Sequence, residues 1–559
     1  MSLQPEETYL LHKQPFKRIF SVLIFSLVAL FLAALSSCEK KLPVINSLDP
    51  SIGMLGELLT IRGEYFGGEQ GESYVSIAGI APTASSYVQW EDDIIMLRLP
   101  EFGDSGLVRV HVGGKKSNAL LFSNRATIPA LVEGEDFGIG PRISSIEPAS
   151  AQVGSLVSII GSGFGNFREQ SGVFFSWDAE SAPGTPAENR SPGSIEVFEG
   201  DLGYDLWTDR EIRVRVPDGA VSGNLEIRTL RGASRPVFFE VSGKPGTKTF
   251  KNKRSYTFSY SVQVQVREAA VPNTLYLWIP RPVLSASQRN PELLSRGMES
   301  FVENYRGTNL FRLVDLGANS TVTVDQTWLV EVYTQETNLR YQQISQDTSS
   351  PIYATYTRAD DLIPADDQRI RALADRICGR ERNPYLKARR IYEWLVKETD
   401  ISLSGNGTDG VLDTLEHLRF DSRTASLLFC SLARSAGLPA VPVSGVLVNQ
   451  GETLRHCWAE FWIDGFGWVP LDPLLGAGAA PAGFTLREDA ESWYFGNLDN
   501  QRIAFSRGQN LLSQMDPRGR TVTRNREYAL QNLWEEAVGG LKSYSSLWGD
   551  VTITGIYAR

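Results

Sequence analysis

The chain has 559 residues, of which 42% are hydrophobic, 10% aromatic and 21% charged. That length suggests three or four domains. The composition excludes wholesale disorder, a collagen-like repeat and a disulfide scaffold, because four cysteines could staple very little of the chain. With 65 acidic against 55 basic residues the formal charge is −10, so no global basic field recruits nucleic acid. Glycines and prolines cluster at turn-like spacings in the first half, which points to β-rich modules.

At the N-terminus Lys13, Lys17 and Arg18 precede an uncharged apolar run from Ile19 to Leu35, followed by Ser36-Ser37-Cys38. A basic segment, an apolar segment and small residues before a cut describe a secretory signal peptide over 1–37. The other reading is a signal anchor, since 17 apolar residues sit at the lower limit for a membrane span. The small-small-Cys ending resembles the bacterial lipobox. That resemblance implies a lipoprotein whose lipidated Cys38 becomes the mature N-terminus and tethers the body to a membrane. The expected location is therefore the cell envelope of a bacterium, at the outer membrane or cell surface. With Cys38 taken up by lipid, Cys378, Cys430 and Cys457 remain, and all three read as buried apolar thiols.

Two internal repeats follow. Leu48-Asp49-Pro50, Gly56 and Gly63-Glu64-Tyr65-Phe66-Gly67 recur 98 residues later as Ile146-Glu147-Pro148, Gly154 and Gly161-Ser162-Gly163-Phe164-Gly165. Further on, Trp90, Ile95, Pro100, Gly106 and Phe122 recur at an offset of 117 as Trp207, Ile212, Pro217, Gly223 and Phe239. The second copy thus carries 19 extra residues within 166–206, where Pro183-Gly184-Thr185-Pro186 and Ser191-Pro192-Gly193 read as loop. Alternating runs such as Leu107 to Val112 predict half-buried strands, so each copy is a small antiparallel sandwich. Both copies, over 43–126 and 141–242, resemble the IPT/TIG family of immunoglobulin-like modules. The turn glycines are attributed to positive φ. The resemblance implies spacers or interaction surfaces: a stalk lifting the C-terminal half off the membrane, or a ligand-binding module, with a glycan as one candidate.

Residues 250–350 form a third β-rich unit, with alternation at Tyr256 to Val262 and Thr327 to Val332. Its Leu277-Trp278-Ile279-Pro280-Arg281-Pro282 segment, with Gln288 shortly after, resembles the β region before the core of bacterial transglutaminase-like proteins. Helical periodicity then takes over. Ile370, Leu373, Ala374 and Ile377 form one stripe and Ala388, Ile391, Tyr392 and Leu395 a second, opened by Asn383-Pro384 as cap and first turn. Ala425, Leu428, Phe429 and Leu432 form a third, ended by Gly437. Two strands follow, His456 to Ile463 and Trp468 to Asp472. In the first, Cys457, Ala459, Phe461 and Ile463 share an apolar face. His456, Trp458, Glu460 and Trp462 share a mixed face, and Trp458 and Glu460 are its candidate cleft-lining residues. Hairpin pairing brings His456 and Asp472 opposite or one diagonal step apart, about 5–8 Å. An imidazole held by a carboxylate is the base-and-orienter half of a nucleophilic triad, while a partly buried His and a turn-capping Asp is the structural alternative.

In order, the helix with Leu428-Phe429 and Ala433-Arg434, then Gly437-Leu438-Pro439-Ala440, His456-Cys457-Trp458-Ala459-Glu460 and Gly467-Trp468-Val469-Pro470-Leu471-Asp472-Pro473 resemble the transglutaminase-like core of the papain-like superfamily. The domain is placed at 360–480, with a C-terminal extension at 481–559. The resemblance implies an α+β cysteine-protease-like core with His456 and Asp472 at the catalytic histidine and aspartate positions. The family's nucleophilic cysteine stands 15 residues before the glycine equivalent to Gly437, and here that residue is Ser422. Cys430, two helical turns on, and Cys457, on the apolar strand face, are poor substitutes. A serine hydroxyl cannot persist as an ion pair with histidine and needs its proton removed during attack. Ser422 also reads as a helix N-cap.

Three readings stay open: a pseudoenzyme that binds or scaffolds peptide or polysaccharide at the cell surface; a peptidase, amidase or acyltransferase using Ser422, His456 and Asp472; and an adhesion protein with no cleft. Phosphate loops, metal-ligand spacings and dinucleotide fingerprints are absent from the sequence, so no cofactor and no metal are expected. Within 481–559 the aromatic, turn-rich run Trp493 to Asn500 is expected to complete the fold by packing or to wall one side of the cleft.

Overall fold

A computed structural model describes residues 41–53, 56–99, 105–124, 140–168, 171–179, 193–243, 245–403, 410–524 and 528–558. The expected signal peptide and Cys38 lie outside the described residues, as does the proline-rich run 180–192. Among the described residues no helix is long and apolar enough to cross a membrane. The chain divides into two compact units, 1–130 and 131–559.

The first unit is a two-sheet sandwich. One sheet orders its strands Val44–Asp49, Leu58–Glu64, Ile94–Arg98 and Tyr87–Trp90; the other orders Ile52–Gly53, Leu120–Asn124, Gly106–Val112 and Tyr74–Ile77. Inward residues of both sheets, among them Ile61, Val75, Leu97, Val110 and Phe122, close the core. Residues 142–241 repeat this pairing strand for strand, down to a bulge in the first strand and a short parallel pair, so neither sandwich is wholly antiparallel. In the second copy the extra residues supply one more strand, Gly193–Glu196, against Gly172–Trp177, where only loop was expected. Positive φ accounts for Gly67 and Gly165, at +87° and +86°. Gly63 and Gly161 have a different cause. A Cβ at either would lie 2.0 Å from the carbonyl oxygen of Val44 or Arg142, so close backbone approach requires glycine there.

The second unit is built around the sheet Gly467–Leu471, Glu452–Ile463, Ala440–Asn449, Arg502–Arg507, in that order. Helices Gln368–Cys378, Pro384–Glu398 and Ser422–Ser435 cover one face, packing Ile370, Ile391, Leu428 and Phe429 against Ala459, Phe461 and Ile463. Asn383 caps the second of these helices on Leu386 N at 3.2 Å, with Pro384 in the first turn. The other face carries Val446, Val448, Ile503 and Phe505, buried against Tyr256, Phe258, Trp328 and Trp534 of the β-rich region. That region hangs on one 35-residue strand, Gly246–Pro280. It pairs with Thr321–Leu339, Thr308–Val314, Glu535–Trp548 and Thr552–Ala558.

Two expectations are corrected here. Residues 481–559 are not a separate extension but complete the fold: Arg502–Arg507 completes the core sheet and 535–558 complete the β-rich sheet. Gln288 locks these parts together. Its amide donates to the carbonyls of Val283 and Ala504, and its oxygen accepts from Ala504 N at 2.8 Å. The stalk reading also fails for the second sandwich, which is docked on the core. Its Val153, Phe175 and Trp177 share one apolar cluster with Phe250, Tyr333, Val441, Trp462 and Trp468. The Trp177 indole donates to Ala286 O at 3.2 Å, and ion pairs Asp218–Lys248 and Asp201–Arg507 cross the junction.

Trp177 is 5% exposed at this junction. Trp177→Ala should therefore cost about 3–5 kcal/mol, as for other buried large aromatics cut to alanine. Urea denaturation followed by tryptophan fluorescence checks the shift in midpoint.

Candidate functional site

The site forms where the N-terminus of helix Ser422–Ser435 meets strand Glu452–Ile463. Asp421 caps that helix, accepting from Thr424 N at 2.8 Å, while Asp421 N donates to the Thr424 hydroxyl at 3.0 Å. This reciprocal pair corrects the assignment of Ser422 as the cap: Ser422 is the first helical residue, half-buried, with its hydroxyl free of capping duty. Its Oγ accepts from Cys457 N at 3.3 Å, which ties it to the residue after His456. No hydrogen bond joins Ser422 to His456 itself, and His456 Nδ1 has no hydrogen-bond partner.

Register places the carboxylate. Ala459 pairs with Leu471, so Asp472 falls opposite Trp458 and one diagonal step from His456. His456 Nε2 lies 2.7 Å from Asp472 Oδ2, with both side chains fully buried. Asp472 also caps the short helix Pro473–Gly476, its Oδ1 accepting from Leu475 N at 3.1 Å. The carboxylate and structural-cap readings of Asp472 are thus both true of one side chain. Because an ionised carboxylate only accepts, the proton of this bond sits on Nε2.

Arg502, not singled out from sequence, completes the group. Its Nη1 donates to the same Asp472 oxygen at 2.9 Å and its Nη2 to Asp499 Oδ2 at 2.6 Å. Asp499 in turn accepts from the Tyr494 hydroxyl at 3.0 Å. Burial alone would raise the Asp472 carboxyl, but His456 and Arg502 outweigh it and hold it at about 2. The sequence signal for Arg502 is a cation opening the strand Arg502–Arg507, three residues after Asp499. Nothing local pointed it at Asp472.

Trp458 and Glu460 line a narrow cavity with Val283, Gln288, Arg502 and Arg507, and neither Ser422 nor His456 borders it. Trp458 is 3% exposed, its ring between Arg502 and His456. The Glu460 carboxylate accepts from Arg507 Nε at 2.6 Å, and burial, opposed by Arg507, still raises its pKa. Cys378, Cys430 and Cys457 are all buried and unpaired with one another. Burial pushes the Cys430 thiol up strongly and the Cys457 thiol up to about 11, so neither offers a thiolate at neutral pH.

The depressed Asp472 carboxyl stabilises the fold wherever it is ionised in both states. That contribution is present above its ordinary 3.8 and is lost as pH falls through about 2. It amounts to about 2 kcal/mol at neutral pH. Urea midpoints measured between pH 4.5 and 2 should fall more steeply for the wild type than for Asp472→Asn. At neutral pH the variant itself should be about 3–5 kcal/mol less stable, since it leaves Arg502 short of a buried partner.

Comparison with known proteins follows the same division of the chain. Residues 371–473 match the transglutaminase-like superfamily and residues 43–127 match the IPT/TIG domain. A curated relative, an uncharacterized protein of Haemophilus influenzae, is 28% identical over 213 residues, covering 32% of this chain and 55% of that protein. The chain therefore spans about half the length of the curated relative it matches. Among solved structures, a candidate cysteine protease from Cytophaga hutchinsonii aligns at 16% identity over 56% of this chain and 93% of its own, with a TM-score of 0.37. The periplasmic domain of TgpA from Pseudomonas aeruginosa aligns at 14% identity over 43% and 92%, with a TM-score of 0.24. SGBP-B from a complex xyloglucan utilization locus in Bacteroides uniformis aligns at 12% identity over 53% and 99%, with a TM-score of 0.13. At such scores none of these likenesses bears on function. By its two matched segments, the chain carries an IPT/TIG domain at 43–127 and a transglutaminase-like domain at 371–473.

Proposed function

We propose that this protein is a lipid-anchored cell-envelope protein whose transglutaminase-like domain has serine in place of the nucleophilic cysteine and acts as a pseudoenzyme. It binds or scaffolds a peptide or polysaccharide at the cell surface. One observation carries the non-catalytic reading. The His456 side chain is wholly buried, while the Ser422 oxygen accepts from the Cys457 amide and makes no hydrogen bond to the imidazole. A serine mechanism needs general-base removal of the hydroxyl proton in the attack itself, within hydrogen-bond reach. The family resemblance of the N-terminal Leu35-Ser36-Ser37-Cys38 motif supports the anchor. The peptide or polysaccharide ligand is the class that a retained cleft of this superfamily would accept.

A second reading is favoured by a specific feature. His456 Nδ1 has no hydrogen-bond partner, and Ser422 is not the helix cap. A hydrogen bond between these two groups would make Ser422, His456 and Asp472 a peptidase, amidase or acyltransferase triad.

The full chain treated with a fluorophosphonate and then with a mixed peptide library separates the two. The pseudoenzyme reading predicts no adduct and no turnover, with binding detected on a peptide or glycan array. Adduct formation or turnover that Ser422→Ala abolishes establishes the triad and overturns the pseudoenzyme. Palmitate labelling in a bacterial host that Cys38→Ser removes tests the anchor.

A further inference from the structure

His456, Asp472, Arg502 and Trp458 form a closed circuit. The imidazole donates to Asp472 Oδ2; Arg502 Nη1 donates to that same oxygen; the Arg502 guanidinium carbon lies 4.9 Å from the centre of the Trp458 ring; and the Trp458 ring stacks on His456 at 6.0 Å and 23°. Besides the histidine itself, Arg502 touches both the group holding the edge of the imidazole and the group stacked on it. It is itself 3% exposed and pinned by its second fork to Asp499, which the Tyr494 hydroxyl holds in turn.

We infer that Arg502 is a positioning residue that fixes the plane and direction of the His456 ring through Asp472 and Trp458 together. The argument rests on degrees of freedom. With Cβ fixed by the backbone, a single hydrogen bond from Nε2 leaves the ring some rotation within its two side-chain torsions, so it restrains but does not by itself lock where Nδ1 points. A second contact on the ring face removes that rotation, provided the face partner is itself fixed. A guanidinium suits both tasks: its edge forks onto carboxylates and its flat face lies on an indole. The helix-capping bond from Leu475 N goes to the other carboxylate oxygen, Oδ1, which Arg502 does not touch, so the cap is separate from the arginine contact. What depends on it is the orientation of the imidazole. The inference takes from the functional reading only that His456 occupies the base position. It holds whether Ser422 attacks a substrate or not.

The probe is the Nε2 proton of His456. In the full chain labelled with 15N-histidine, this buried, carboxylate-bonded proton should give a downfield resonance in slow exchange with water, assigned by its loss in His456→Gln. Arg502→Gln should accelerate its exchange at least tenfold at a temperature where the protein is still folded. Arg502→Lys should fall between, because an ammonium reaches Asp472 but supplies neither the second fork nor the flat face. A folded Arg502→Gln protein with wild-type exchange overturns the inference. So does acceleration shared equally by backbone amides of the surrounding sheet, since that reports general loss of stability. If Arg502→Gln does not fold, Asp499→Asn releases only the far fork and must still accelerate exchange several-fold; unchanged exchange there overturns the inference as well. Failure of the peptide and glycan assays with these exchange results intact contradicts the functional reading alone.

Discussion

One carboxylate oxygen organises the C-terminal half of the molecule. Asp472 Oδ2 accepts from His456 on one strand and from Arg502 on another, while Oδ1 starts the following helix. Three segments far apart in sequence therefore converge on a single buried charge. An ionised carboxylate in the interior is costly unless paired, and here His456, Arg502 and Leu475 N share it. The histidine strand must be in register with Gly467–Leu471, and Arg502–Arg507 must lie at the far edge of the same sheet. Gln288 secures that edge strand from the β-rich region, which explains why that region cannot be a loosely attached neighbour.

The same dependence reaches the second sandwich. Arg507, five residues after Arg502 on the same strand, is shared by Glu460 of the histidine strand and Asp201 of the sandwich. Trp462 and Trp468, on either side of the hairpin turn, are buried in the sandwich's own core. The mixed face of the histidine strand is thus consumed along its length: His456 by Asp472, Trp458 by Arg502, Glu460 by Arg507 and Trp462 by the sandwich. Of the face that sequence reads as a cleft wall, Trp458 and Glu460 line a narrow cavity and Trp462 is part of an internal junction. What stays accessible is the helix N-terminus around Ser422, where the hydroxyl is half-buried.

Legibility from sequence followed the range of the interactions. The helical stripes and the strand alternation are local patterns and reappear as Ile370, Ile391, Leu428 and Phe461 in one core. The pairing of His456 with Asp472 needed only a hairpin, and hairpin register is set by the residues between them. Ser422 was misassigned as a cap because Asp421, one position earlier, has the same preference, and Thr424 three residues on makes the reciprocal bond. Arg502 and Arg507 were not legible. Their partners lie 30 and 306 residues away, and sheet order, which no periodicity reveals, decides that they meet. The repeat was read from its glycines, yet Gly63 and Gly161 are required by a neighbouring carbonyl and not by their φ.

Under the proposed function, His456 and Asp472, 2.7 Å apart, stand at the base and orienter positions and serine at position 422 replaces the nucleophile. The most direct measurement is the rate of iodoacetamide alkylation of Ser422→Cys in the full chain, followed by intact mass across pH 5–9, beside Ser422→Cys/His456→Gln. The account predicts a single fast adduct at position 422 that slows at least tenfold when His456 is replaced. Equal rates in the two variants would show that His456 does not reach position 422, and would contradict it.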